Sequence, residues 1–383
     1  MKYLIILIGL LLSLSVTQSQ SIENVMASVN LDSLSQSVRI LSGEDSIQEG
    51  DHWVTIQERA SLPGRSLAAQ YITRRLKSYD LSVMNQSYGE TGTNIIATQA
   101  GSYHPDSIFI ISAHYDSVTS FAADDNASGV ATVLEAARIL SSFDLNYTLI
   151  YALWDEEELG LWGSRYFAEE ASKDQKKIIG VLNLDMLGYD SNDDFIFDIH
   201  TNNNQHSLRL KDELLNTLGI YKVPLNPMIY NPGTSQSDHQ SFWDYNFGAV
   251  LLIEGYYSGD FNPYYHTVND RINLFNLSYY KEISKLAIGT IAAMAELSNP
   301  ASIPPLPDSK LMLYPNPAKG YFHIKSDDQS ILLIQIHNIE GELMQSIDNI
   351  DRKSIPIHHL PGGVYFITIF TDNGFTVKKL IKL

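Results

Sequence analysis

The strongest constraint on this chain is a repeated one: apolar runs that end abruptly at a carboxylate or an imidazole. Residues 108–113 lead into His114 and Asp116, residues 148–153 into Asp155, Glu156, Glu157 and Glu158, and residues 178–184 into Asp185. A run of this length without polar alternation has both faces covered, as in a parallel sheet between helix layers. Amphipathic segments intervene. Ala68, Tyr71, Ile72 and Leu76 recur at helical spacing within residues 67–81. Val130, Val133, Leu134, Ala137 and Leu140 share one face within residues 130–140. Further strand-like runs cover residues 94–98, 195–199 and 249–253. The alternation predicts an α/β fold: a three-layer α/β/α sandwich on a mostly parallel mixed sheet. Such sheets place their sites beyond the C-terminal ends of the strands, where His114, Glu157 and Asp185 fall.

The ends of the chain read differently. Lys2, an apolar stretch over residues 4–12 and a small polar exit over residues 13–21 describe a signal peptide, taken as residues 1–19. The stretch is shorter than the ~20 apolar residues that span a bilayer, so no membrane span is expected in the mature form. The α/β unit is expected over residues 22–298, followed by a proline-rich linker over residues 299–309 with Pro300, Pro304, Pro305 and Pro307. Beyond it, residues 322–324, 331–336, 354–357, 364–370 and 375–383 are short strand-like runs between Gly, Asp and Asn turns. They predict a small all-β, immunoglobulin-like sandwich over residues 310–383. The 383 residues carry a formal net charge of -18 and no cysteine. That acidity argues against nucleic acid and anionic lipid as partners. Stability must come from the core and from metal rather than from disulfides.

Each candidate site residue has an ordinary structural use when taken alone. His114 suits a borderline cation, and Asp116 two residues on is placed to receive the hydrogen bond of the other ring nitrogen. A structural histidine is the plainer reading. Asp125 sits on the tight turn Asp125, Asn126, Ala127, Ser128, Gly129 before a helix, where it is either a turn acid or a bridging ligand. Ser128 is expected to cap that helix. Glu157 and Glu158 form either an acidic helix start or a ligand beside a base. Four successive acids at a strand exit are costly unless a cation neutralises them. Asp185 ends a buried run, so its charge requires compensation. His266, with Tyr265 beside it, offers a second imidazole. Tyr265 is placed either to donate to a developing oxyanion or to serve as an aromatic packing residue. Asp238 and His239 read as a supporting pair, and Met186, Tyr230 and Phe242 hint at an apolar pocket. Singly the ordinary readings win; five signals in this order at strand ends do not fit them. Two imidazoles and three carboxylates suit a pair of divalent cations, with one carboxylate left as a base, the equipment for metal-assisted amide hydrolysis.

These motifs resemble the bacterial leucyl aminopeptidase family of two-zinc exopeptidases, of which glutamate carboxypeptidases and glutaminyl cyclases are distant members. The resemblance covers about residues 60–295. It implies two Zn2+ ions per chain. His114, Asp125 and Asp185 would serve one or other metal, with Asp125 bridging both, and Glu158 and His266 would complete the second. Glu157 would be the general base and Asp116 would orient His114. The implied substrates are peptides with a free N-terminus. Thr234 stands where some of these aminopeptidases have a tyrosine, which leaves the oxyanion donor open. The uninterrupted spacing from Glu157 and Glu158 to Gly163 and Ser164 favours a peptidase over a cyclase. A carboxypeptidase or cyclase of the same fold, and an inactive surface binding module, are the alternatives. Tyr314, Pro315, Asn316 and Pro317, then Gly341, Gly362, Gly363 and a basic end at Lys378, Lys379 and Lys382 resemble a type IX secretion sorting domain. That implies the secretion machinery as a partner and a secreted or cell-surface location. The residues alone say only that a small β-sandwich, equally suited to binding carbohydrate, is appended.

Overall fold

The computed structural model describes residues 21–49, 52–297, 311–325, 331–338, 343–348, 354–371 and 374–383. The expected signal peptide and linker lie outside the described residues. The chain divides into two compact units, Met1–Asn299 and Pro300–Leu383. No helix among the described residues is long and apolar enough to cross a membrane.

The first unit opens with helices α1 (Ile22–Ala27) and α2 (Leu31–Leu41), a two-stranded ribbon β1 (Ile47–Glu49) and β2 (His52–Val54), and helix α3 (Leu62–Lys77). Helix α3 begins earlier than the apolar spacing suggested. Ser61 accepts the Gly64 N–H and Pro63 occupies the first turn, where its missing N–H costs nothing. Strands β3 (Ser82–Tyr88), β4 (Gly92–Gln99) and β5 (His104–His114) lead to α4 (Gly129–Leu140). Then come β6 (Tyr147–Trp154), α5 (Trp162–Lys173), β7 (Lys177–Asp185), β8 (Ile196–His200), α6 (Gln205–Ile220), β9 (Asn226–Tyr230), α7 (His239–Asp244), β10 (Ala249–Glu254) and α8 (Leu277–Ala295).

Eight of these strands form one sheet in the order β3-β4-β6-β5-β7-β10-β8-β9. Its centre, β6-β5-β7-β10, is parallel throughout, and β3, β4 and β8 pair antiparallel around it. Alternate residues of the central strands enter opposite cores. Phe109, Ile111, Leu149, Leu153, Leu182 and Val250 pack with α1, α2, α3, α4, α6 and α8, whereas Ile110, Ile150, Ala152, Val181 and Ala249 pack with α5 and α7. The result is the expected three-layer α/β/α sandwich. Register decides where the charged ends fall. His114 pairs with Trp154, Ser112 with Asn183, and Ile253 with Asp185, so the parallel strands end side by side at one edge.

The described strands of the second unit pair antiparallel within two sheets. One sheet holds β11 (Met312–Tyr314), β12 (Tyr321–Lys325) and β15 (Ser354–Pro356). The other holds β14 (Leu343–Asp348), β13 (Ile331–His337), β16 (Gly363–Thr371) and β17 (Gly374–Lys382). Phe322 and Ile355 from the first sheet share a core with Ile334, Ile336, Ile367, Ile369 and Leu380 from the second. This is a small β-sandwich, with β11 and β14 in addition to the strands read from the sequence.

Candidate metal centre

His114 is the last residue of β5 and is buried. Its Nε2 lies 3.3 Å from Asp125 Oδ1 and 3.5 Å from Asp185 Oδ1, and its Nδ1 lies 3.4 Å from Asp116 Oδ1. Asp125 reaches the other way as well: its Oδ2 is 3.2 Å from His266 Nε2, which is 3.1 Å from Glu158 Oε2. Two sets, His114 with Asp125 and Asp185, and Asp125 with Glu158 and His266, each bring their donor atoms within 4.8 Å of one another. Asp125 belongs to both. Glu157 joins His114 and Glu158 in a third such grouping. All five residues read from the sequence as ligands therefore converge, with Glu157 beside them.

The backbone explains the aim of each side chain. Asp116 accepts the N–H groups of Glu157 and Glu158, both at 3.1 Å, so one carboxylate joins the end of β5 to the turn after β6. Asn126 donates to the Leu184 carbonyl at 2.8 Å and accepts the Gly129 N–H at 2.9 Å, tying the Asp125 turn to the end of β7. A Cβ on Gly129 would stand 2.4 Å from Asn126 Oδ1 and 2.8 Å from the Leu184 carbonyl oxygen, so only glycine lets the helix approach the strand. Ser128 does not cap α4 as expected. Its hydroxyl donates to the Asp124 carbonyl and accepts the Leu187 N–H, because the cap is already supplied by Asn126. Ala122, Glu156, Met186 and His266 all have positive φ although none is glycine. Left-handed backbone of this kind concentrates where side chains are held for chemistry.

Two supports were not found in the sequence. Arg59, fully buried, donates to the carbonyls of Tyr115, Leu41, Phe121 and Ala122 at 2.6–3.0 Å. It ties the His114 segment to the Asp125 segment and sets a cation behind the acids. Asp270 accepts the N–H groups of Asp124 and Asp125 at 3.0 Å. Both lie on irregular segments without periodicity, and only spatial proximity marks them. The four-acid run also divides. Asp155 and Glu156 pair with a single cation, Arg65, at 3.0 and 2.9 Å, whereas Glu157 and Glu158 join the converging groups.

The electrostatics follow from burial. Burial, reinforced by Asp238, Asp185 and Asp116 against the opposing His114, pushes the Glu157 carboxyl well up. Burial and then Asp125 push Glu158 up to about 9. Burial would raise Asp125 too, but hydrogen bonds from His114 and His266 hold it below the usual range. Glu158 Oε1 and Asp185 Oδ1 are buried without a hydrogen-bond partner. Buried acids in excess, with donor atoms unsatisfied, fit a divalent cation pair.

The ligand set opens into a pocket of about 80 Å³ whose other walls include Met186, Leu251, Ile253, Tyr256, Phe261 and Tyr265. Met186 lines it as expected. Tyr230 and Phe242 do not: Tyr230 stacks on His200, and Phe242 is fully buried against Trp154 and Phe167. Tyr265 stacks on the His266 ring with centroids 3.7 Å apart. Asp238 and His239 lie fully buried behind the pocket, where burial pushes Asp238 up to about 7. Two larger clefts, of about 460 and 660 Å³, contain none of the converging residues, so volume does not locate the chemistry here.

Residues 312–383 match the secretion system C-terminal sorting domain, which marks the chain for export to the cell surface or the medium. Among proteins, the chain is 32% identical over 203 residues to leupeptin-inactivating enzyme 1 of Streptomyces exfoliatus, covering 51% of this chain and 43% of that protein. It spans about half the length of the curated relatives it matches. Among solved structures, the LapA aminopeptidase of Legionella pneumophila superposes with a TM-score of 0.61 at 21% identity, over 72% of this chain and 75% of that one. Porphyromonas gingivalis glutaminyl cyclase gives 0.57 at 18% identity, over 70% and 99%. The fold is shared across both. Over residues 94–291, just over half of its length and the stretch that carries His114, Asp125, Glu157, Glu158, Asp185 and His266, the chain matches the model of peptidase family M28, and it belongs to that family.

Proposed function

We propose that the chain is a secreted aminopeptidase that binds two zinc ions and hydrolyses the N-terminal bond of peptides with a free amine. The observation that carries this reading is the pair of imidazole–carboxylate sets sharing Asp125, with Glu157 left beside them. Two imidazole nitrogens and carboxylate oxygens suit zinc. His114 and Asp185 would hold one ion and Glu158 and His266 the other, with Asp125 available to both. When bound, the ions supply Lewis acidity toward the scissile carbonyl and lower the pKa of a water. The remaining work belongs to the protein. Glu157, whose desolvated carboxylate is a stronger base than a solvated one, takes the proton of the attacking water and delivers it to the leaving amine. Asp116 orients His114 and holds the Glu157–Glu158 turn through its two backbone bonds. Tyr265, at the pocket wall, donates toward the oxyanion. The surplus negative charge favours a substrate ammonium, and the apolar wall of Met186, Leu251, Ile253 and Phe261 favours an apolar first side chain.

The test is metal analysis of the exported chain with hydrolysis of leucine p-nitroanilide, with and without chelator. Two equivalents of zinc and chelator-sensitive hydrolysis are expected. One equivalent would remove the dinuclear assignment. A peptide and its N-acetylated form separate the specificities: equal cleavage of both rules out amine recognition.

A further inference from the structure

The segment between β9 and α7 contributes Thr234 and Gln236 to the pocket lining, and two histidines outside the ligand set grip it. Thr234, which lines the pocket, donates its N–H to His200 Nδ1 at 3.0 Å. Its carbonyl accepts a hydrogen bond from His239 Nε2 at 2.8 Å. One peptide unit on each side of Thr234 is thereby held between two fully buried imidazoles, one at the end of β8 and one at the start of α7. The preceding residue leaves no slack: a Cβ on Gly233 would stand 2.4 Å from His200 Cβ. Three residues after Thr234, the Ser237 hydroxyl donates to Asp185 Oδ2 at 2.7 Å while accepting from Asn183 Nδ2 at 2.9 Å. The segment thus has two anchors, and the second one is a bond to a candidate zinc ligand.

We propose that His200 and His239 are positioning residues: a pair of neutral imidazoles that clamps the Thr234 peptide and, through Ser237, fixes the orientation of Asp185. The inference rests on the metal reading above. The clamp fixes both tautomers. His200 must keep Nδ1 bare to accept an N–H, and His239 must carry its proton on Nε2 to donate to a carbonyl. Either ring in the wrong state sets donor against donor or acceptor against acceptor. Their surroundings support neutrality. His200 packs against the rings of Tyr230, Tyr256 and Tyr257, and His239 packs edge-on to Trp243; the carboxylate of Asp198, 3.9 Å from His200 Nε2, opposes neutrality, and burial outweighs it. Burial pushes the two imidazoles down to about 4 and about 3.

The experiment measures zinc affinity by chelator competition, kcat and KM for leucine p-nitroanilide, and Tm, on the whole chain. His200→Leu and His239→Leu are expected to weaken zinc by ~10–100-fold, the range for groups that orient a ligand, and to raise KM more than they lower kcat. Ser237→Ala reproduces the zinc loss, and adding His200→Leu to it costs little more, because both act on one bond. His200→Asn, whose amide oxygen accepts near the place of Nδ1, recovers zinc affinity to within ~3-fold, whereas His200→Gln, one methylene longer, does not. If the leucine variants do not fold, the Asn and Gln pair decides. Lowered Tm with unchanged zinc affinity and KM, or equal affinities for Asn and Gln, overturns the clamp. A wild-type chain that takes up no zinc instead overturns the metal reading, and with it the role assigned through Asp185.

Discussion

At the scale of single residues, the candidate site divides into side chains that bear chemistry and side chains that aim them. The first kind was legible in the sequence, because an acid or imidazole at the end of an apolar run is conspicuous. Glu157→Gln is expected to fold and bind zinc but to lose ~10²–10⁴ in kcat, the usual worth of a positioned general base; full activity in that variant removes Glu157 from the role. The second kind was not legible. Arg59 and Asp270 stand in segments with no periodic pattern, and their partners are backbone carbonyls and N–H groups contributed by distant segments. Arg59→Met leaves buried carbonyls without donors, at ~1–3 kcal/mol for each group left unsatisfied. It is expected to lower Tm by several degrees and to weaken zinc binding together, measured by thermal melts with and without chelator. A Tm loss with zinc affinity intact would confine Arg59 to stability.

At the scale of elements, the central strands and helices α3 and α4 of the α/β unit follow from apolar runs and helical spacing, and helix limits follow from caps. Helix α3 illustrates the difference: the periodicity located it, while Ser61 and Pro63 set its start. The edge strands β3 and β9 were missed because one side of each is solvated and polar residues interrupt the run. Gly129 at the start of α4 carries a prediction against simple propensity. Alanine favours helices by ~1 kcal/mol over glycine. The approach to Asn126 and Leu184 is so close that Gly129→Ala is expected to destabilise by ~1–3 kcal/mol instead, read by urea unfolding. The buried histidines at the end of β8 and the start of α7 carry another. Their folded pKa values lie below the unfolded value of ~6.5, so the unfolded chain binds more protons as pH falls from about 6.5 toward about 4. Their contribution to stability is therefore complete above pH ~6.5 and is lost through that window. His200→Asn should show a shallower fall in unfolding free energy between pH 7 and pH 5 than the wild-type chain; equal slopes would refute it.

At the scale of the whole molecule, each unit has its own hydrophobic core, and the candidate site residues lie in the first. A chain ending at residue 299 is expected to fold and retain zinc and hydrolysis, while losing export, measured by fractionation of the producing cells. The boundary of the units was visible as a change from helical spacing to short strand-like runs after a proline-rich stretch. Structural likeness to both an aminopeptidase and a glutaminyl cyclase shows why the fold alone does not name the reaction. The sequence by itself determined the α/β class, the appended sandwich and the identity of the converging side chains, because burial pattern and residue chemistry are local properties. Only the tertiary structure decided that Asp125 stands between two imidazoles, that Asp155 and Glu156 pair with Arg65, and that Arg59, Asp270, His200 and His239 bond to backbone groups of segments around the site. Those assignments depend on which strand ends and loops meet across the sheet edge. Such meetings are set by parallel register and by hydrogen bonds between residues far apart in the chain, which no local pattern records.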